Sequence, residues 1–115
     1  MELSEEKIEE KAYIGELLSL YGGLLTENVR RRMEAFYFED YSLGEIAYNE
    51  KVSRNAVYES LLSGEKLLFK YEDKLHLYKR NQRLLDQIDK LEKSASEEEK
   101  KRICEAMKGE FHHGI

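Results

Sequence analysis

The chain predicts an all-α fold built around a helix-turn-helix domain and continued by a long C-terminal helix. Three observations carry that expectation. Its 115 residues contain no Pro, and 37% are charged against 41% hydrophobic, a composition that favours long, partly solvated helices. Capping residues stand just ahead of apolar repeats at several points along the chain. Apolar residues recur three and four apart, which is the helical period, and no stretch alternates with the period of a strand.

The elements follow in order. Ser4 is placed to cap a first helix over about 5–21, with Ile8, Ala12, Leu18 and Tyr21 among its apolar positions. Gly22 and Gly23 end it. Thr26 is placed to cap a second helix over about 27–38, with Val29, Met33, Phe36 and Tyr37 facing inward. The stretch from Tyr41 to Leu68, YSLGEIAYNEKVSRNAVYESLLSGEKLL, then reads as the helix-turn-helix itself, at about 42–68. Ser42 stands three residues before Glu45, a capping box in which two side chains satisfy the free amides of a starting helix. Leu43, Ile46 and Ala47 fall on one face, and Ala47 is small where the next helix must cross. The turn spans roughly 49–52, so Asn49 or Lys51 takes the left-handed position that Gly often fills. Ser53 caps the second helix of the motif. Val52 before it and Val57 after it are spaced as a hydrophobic staple. Val57, Leu61 and either Leu67 or Leu68 continue the buried stripe.

The apolar period does not stop there. Leu68, Tyr71, Leu75 and Tyr78 keep it, and Leu84, Leu85, Ile88 and Leu91 carry it on. The spacing predicts a single helix over about 55–93, kinked near Gly64. Ser96 followed by Glu99 marks a short last helix over about 97–108, and the end, GEFHHGI, is expected to fray. Residues 1–70 are thus expected to form the helical domain, with 71–115 an extended helical segment of the same single domain, since this length supports one modest core. The long stripe exceeds what that core can cover. Packing of two copies into a homodimer is the economical solution, and folding back onto the first helix within one chain is the rival.

Chemistry is largely excluded. There is no phosphate loop, no GxSxG, no HExxH and no pair of CxxC motifs, so no catalytic residue, cofactor or metal ligand is assigned and the chain does not read as an enzyme. His76 falls mid-helix and His112–His113 in the tail. The single cysteine, Cys104, cannot form an internal disulfide and fits a reducing cytoplasm. The N-terminus, MELSEEKIEEK, is acidic, and no apolar run is long enough to span a bilayer. A cytoplasmic protein without membrane insertion is expected.

The candidate function is therefore binding. The exposed side of the motif's second helix carries Arg54, Asn55, Tyr58, Glu59 and Leu62. Arg54 and Asn55 lie in the first turn, where a recognition helix meets base edges, Arg pairing with guanine and Asn with adenine. Tyr58 follows one turn later. Arg30 and Arg31, from the run Arg30–Arg31–Arg32 on the preceding helix, are the other candidates, as phosphate contacts. Charge weighs against a duplex reader. The chain carries 19 basic and 24 acidic residues, net −5, and from Leu25 to Tyr71 there are seven basic against eight acidic. Phosphate contacts supply most of the affinity of a strong DNA reader, and such domains normally present a basic stripe.

Several blocks in order, LLTE at 24–27, FYFEDYSLGEIA at 36–47, VSRNAVYE at 52–59 and YEDKLHLY at 71–78, resemble the YlxM-like family of small bacterial helix-turn-helix proteins. The central part is also similar to region four of sigma factors. The resemblance runs from about residue 17 to 85. It implies an all-helical, often dimeric fold and a regulatory role in the signal recognition particle pathway of protein targeting. Particle protein or RNA would then be the partner, and DNA the partner of the alternative, a sequence-specific transcriptional regulator. The resemblance carries over no catalytic set, and only Arg54 and Asn55 match the start of a recognition helix. The chain departs from the family pattern after the tyrosine, where Ser60–Leu61–Leu62–Ser63–Gly64 brings no positive charge.

Overall fold

A computed structural model of the protein describes residues 5–94 and 96–111, with side chains from residue 9 onward. The described residues form six α-helices and no strand: α1 (Glu5–Tyr21), α2 (Glu27–Tyr37), α3 (Leu43–Glu50), α4 (Arg54–Leu75), α5 (Leu77–Lys93) and α6 (Glu97–Phe111), with one 3-10 turn, Gly22–Leu24, between the first two. They fall into two compact units, Met1–Asp73 and Lys74–Ile115. The expected cap Ser4 and the side chain of Ile8 lie outside the described residues.

The first unit is built on helical stripes. α1 buries Ile14, Leu17, Leu18 and Tyr21, α2 buries Met33, α3 buries Ile46 and Ala47, and α4 buries Val57, Leu61 and Leu68. Thr26 caps α2, its hydroxyl accepting from the Val29 amide. Ala12, one of the apolar positions named for the first helix, is exposed.

The buried positions of α4 run Val57, Leu61, Gly64, Leu68 and Glu72, spaced four, three, four and four, so Gly64 belongs to the stripe. A Cβ at Gly64 would lie 2.2 Å from Met33 Sδ and 2.9 Å from Val29 Cγ1. The glycine is where α2 lies against the backbone of α4, and α4 passes through it as regular helix. α4 is unbroken at Gly64, and the single helix expected over 55–93 is two. It breaks at His76, which takes the left-handed conformation with φ 55 and ψ 30. A left-handed L-residue costs about 1–2 kcal/mol and stops α-helix propagation. His is one of the side chains more often found there.

Each unit covers part of the apolar stripe, while Leu85 and Ile88 of α5 stay exposed. In the first, side chains of α1 reach the last turns of α4. The Tyr21 hydroxyl donates to Glu72 Oε1 at 2.7 Å, with Tyr21 1% and Glu72 5% exposed. The Tyr21 ring meets Tyr71 at 6.0 Å between centroids, and Tyr13 stacks on Phe69 at 6.2 Å. α1 thus covers the part of the stripe that lies on α4. Nearby, the Tyr37 hydroxyl donates to Glu65. Burial first, then the bond to the carboxyl group, push the phenol well above its ordinary value.

In the second unit α6 packs along α5. Leu77, Leu84 and Leu91 of α5 and Ile103 and Met107 of α6 are half-buried, and neither helix has a fully buried residue. Ser96 caps α6 as expected, accepting from the Glu99 amide at 3.1 Å. α6 does not fray after Lys108. It continues through Gly109 to Phe111, because Arg80 of α5 donates to the Glu110 carbonyl and lies 5.9 Å over the Phe111 ring, while Arg83 pairs with the Glu110 carboxylate at 3.6 Å. Donation from a cation to a terminal carbonyl supports the last turn of a helix. His112 and His113 lie outside the described residues.

Candidate functional site

The helix-turn-helix is assembled from local signals that close on each other. The Ser42 hydroxyl accepts from the Glu45 amide at 3.1 Å, and the Glu45 carboxylate accepts from the Ser42 amide at 3.1 Å, completing the capping box. α3 ends at Lys51, which takes the left-handed conformation at φ 58 and ψ 43 and donates its amide back to the Ala47 and Tyr48 carbonyls. The Val52 amide reaches the Ala47 carbonyl at 3.0 Å, and Ser53 caps α4 by accepting from the Ala56 amide at 3.0 Å. Ile46, Ala47 and Val57 form the buried centre, with Ala35, Phe36, Leu43 and Val52 around it. The staple of Val52 and Val57 is therefore formed, and the angle between α3 and α4 is held by packing as well as by caps.

On this frame Arg54, Asn55, Tyr58 and Glu59 are exposed and Leu62 is half-buried. The structure brings Arg54, Asn55 and Tyr58 together over the first two turns of α4. The Arg54 side chain reaches back across the first turn of α3, where a Cβ added to Gly44 would sit 3.7 Å from its Nε. A cleft of about 570 Å³ opens there, lined by Ser42, Gly44, Glu45, Tyr48, Asn49 and Arg54. Tyr48 at its rim is 84% exposed and Tyr58 is 47% exposed. Arg54 forms no ion pair among the described residues.

Arg30 and Arg31 stand elsewhere, on α2, and both are engaged. Arg30 pairs with Glu34 at 2.8 Å. Arg31 reaches Glu50 at 2.8 Å and also donates to Asn28 at 3.0 Å. Arg32 reaches the same Glu50 oxygen at 3.0 Å and donates to Ser60 at 2.8 Å. Burial pushes the Glu50 carboxyl up, but hydrogen bonds and charge from the two guanidiniums outweigh it and hold the group below the usual carboxylate range. The arginine run thus ties α2 to the last residue of α3 and to α4. Reading along the sequence missed this, because Glu50 is 18 and 19 residues from its partners. It also missed the cleft and Tyr48. The signal present for Tyr48 was its outward register beside the inward Ala47.

A carboxylate held below its ordinary value stabilises the fold above about pH 4.5, and that contribution is lost as pH falls through the depressed value. Glu50→Gln is therefore expected to lower stability by about 1 kcal/mol near neutral pH, a pair at partial exposure being worth little more. The gap to the parent protein is expected to narrow as pH falls below 4.5 and through the depressed value of the group. Urea unfolding of both proteins from neutral pH down through acid checks this, and a gap that does not change over that range would refute it.

No cluster of three or more His, Cys, Asp or Glu among the described residues is arranged to hold a metal ion, and no described helix is long and apolar enough to cross a membrane. The sequence over residues 8–108 matches the family described as "Putative helix-turn-helix protein, YlxM / p13 like". The chain belongs to this family. Its relatives include a UPF0122 protein of Oceanobacillus iheyensis, 45% identical over 78 residues, covering 68% of this chain and 74% of that one. One from Limosilactobacillus reuteri is 42% identical over 91 residues, covering 79% and 80%. One from Mycoplasma capricolum is 37% identical over 98 residues, covering 85% and 87%. The family match takes in α2 to α5 in full, so the helix-turn-helix and the α4–α5 break both lie inside it. The family is one of helix-turn-helix proteins rather than of enzymes.

Proposed function

We propose that this family member is a regulatory binding protein of the signal recognition particle pathway, acting by direct contact between its helix-turn-helix face and a component of the particle. The observation that carries this reading is the state of the arginines. Arg30 is paired with Glu34, and Arg31 and Arg32 share Glu50, so the run keeps a net charge of only one and is tied down rather than laid out as a basic stripe of the kind that follows a phosphate lattice along a duplex. What the motif presents instead is a small mixed surface in which Tyr48, Tyr58, Arg54, Asn49 and Asn55 stand beside the exposed acids Glu45 and Glu59. That suits a shaped partner better than a uniform polyanion. A homodimer through Leu85 and Ile88, both exposed on α5, belongs to the same reading.

Arg54 and Asn55 at the start of α4 favour a second reading, a sequence-specific DNA-binding regulator. One experiment separates the two. The purified protein is titrated against the particle's RNA and its GTPase, and against randomised duplex DNA, at low and at physiological salt. Capture of a particle component with altered GTP turnover, and release of DNA at physiological salt, is the expected result. Specific DNA retention at physiological salt that is lost in Arg54→Ala, with no particle component captured, would replace the first reading by the second.

A further inference from the structure

We infer that the cleft between α3 and α4 is a site for one unpaired nucleotide of a looped or bulged nucleic acid, with the base stacked on Tyr48 and its phosphate met by Arg54. This deepens the reading above, and rests on it only for the source of the nucleotide. The argument starts from what the cleft contains. Gly44 is part of its lining and has no side chain, so the Arg54 guanidinium can lie across the first turn of α3. One wall is Arg54, without an acid partner among the described residues and positioned beside Gly44. The rim is Tyr48, 84% exposed, and Asn49 stands beside it with both an amide donor and an acceptor.

An aromatic ring that exposed is a surface that water leaves readily when a second ring covers it. Base-on-tyrosine stacking is worth about 1–3 kcal/mol per base and needs no particular base. A nucleotide inside a duplex cannot use it, because both of its faces are already stacked. Recognition of nucleic acid through aromatic rings is accordingly directed at loops, bulges and single strands. The charge agrees. A single unpaired nucleotide brings one phosphate, and the cleft offers one guanidinium for it, whereas a duplex would require many cations. Glu45, the acid in the cleft, accepts from the Ser42 amide at 3.1 Å, which fixes its carboxylate within the capping box. Tyr58, one helical turn beyond Arg54 and 47% exposed, extends the same surface for a neighbouring base.

The test is a fluorescence-anisotropy titration of the full chain with a labelled RNA hairpin bearing a mixed-sequence unpaired loop. The matching DNA hairpin and the fully paired duplex of each are the comparison probes. The loop hairpins are expected to bind well ahead of the duplexes. Tyr48→Ala is expected to weaken loop binding about tenfold, Tyr48→Phe to leave it within twofold, and Arg54→Ala to weaken it and flatten its salt dependence. A preference for the RNA loop over the DNA loop names the source as RNA; equal capture supports the site with base and phosphate as its determinants. Equal binding of looped and paired probes, or loop binding that Tyr48→Ala leaves unchanged, would overturn it. Tyr48 is so exposed that the variants should keep the parent melting midpoint, which is measured alongside. If Tyr48→Ala leaves loop binding unchanged while a particle component is captured as by the parent, the nucleotide site falls and the targeting role stands. If the parent binds loops through Tyr48 but captures no particle component, the site stands and that role falls.

Discussion

Gly64→Ala is expected to destabilise the protein by about 2 kcal/mol, opposite in sign to the usual effect of that change inside a helix. Replacing Gly by Ala mid-helix normally stabilises by about 1 kcal/mol. Here the new methyl would enter the space of Met33 Sδ at 2.2 Å and Val29 Cγ1 at 2.9 Å. Met33 is fully buried at 0% exposure, so its thioether has no solvent to move into. Overpacking of a closed core costs about 1–3 kcal/mol, here at the upper end, and outweighs the gain in propensity. A fall of roughly 10 °C in the melting midpoint follows. The mechanism makes a second demand. Met33→Ala alone should destabilise through the cavity it leaves, yet Gly64→Ala combined with Met33→Ala should cost clearly less than the two singles added, since each relieves the defect of the other. A rise in melting midpoint for Gly64→Ala, or simple additivity in the double variant, would show that α2 and α4 do not meet at this glycine.

The second large effect is expected at Tyr21. Tyr21→Phe keeps the ring against Tyr71 and removes only the hydroxyl that donates to Glu72 at 2.7 Å. Glu72 is 5% exposed, so water cannot readily replace the lost donor. Taking a partner from a buried polar group costs about 1–3 kcal/mol, and a loss of about 2 kcal/mol in urea unfolding is expected. Glu72→Gln retains an oxygen that can accept from Tyr21, so its loss should be smaller than that of Tyr21→Phe. If Tyr21→Phe falls within a few tenths of a kcal/mol of the parent, the hydroxyl does not hold α1 to α4.

What was legible in the sequence was what is encoded locally. Thr26, Ser42 with Glu45, Ser53 and Ser96 each announce a helix start within four residues, and each forms its bond. Lys51 was one of two positions left for the left-handed turn, because a turn that short has few places to reverse. The failures share a cause of the opposite kind. Gly64 reads as a weak point by propensity, and only the approach of α2 from some thirty residues away turns it into a packing position. His76 carries no breaker signal, and the apolar period runs straight through it, so two helices look like one. Arg30 to Arg32 read as a free basic run because Glu50, the residue that engages two of them, lies beyond a helix and a loop. The site divides in the same way. Arg54, Asn55 and Tyr58 were visible from their register on one helix, whereas the cleft needs α3 and α4 side by side.

Lys51 has a consequence for how the protein meets a partner. A glycine at that left-handed position would make the elbow between α3 and α4 a swivel. A lysine there has far fewer backbone states to visit, and its amide is anchored on two carbonyls of α3. The face formed by Tyr48, Arg54 and Asn55 is consequently a stencil cut before the partner arrives. Its backbone has little ordering entropy left to lose on association, and what remains is the rotamer freedom of the exposed side chains, so backbone adaptation falls to the partner. Related partners would then differ in how long they stay rather than in how fast they land.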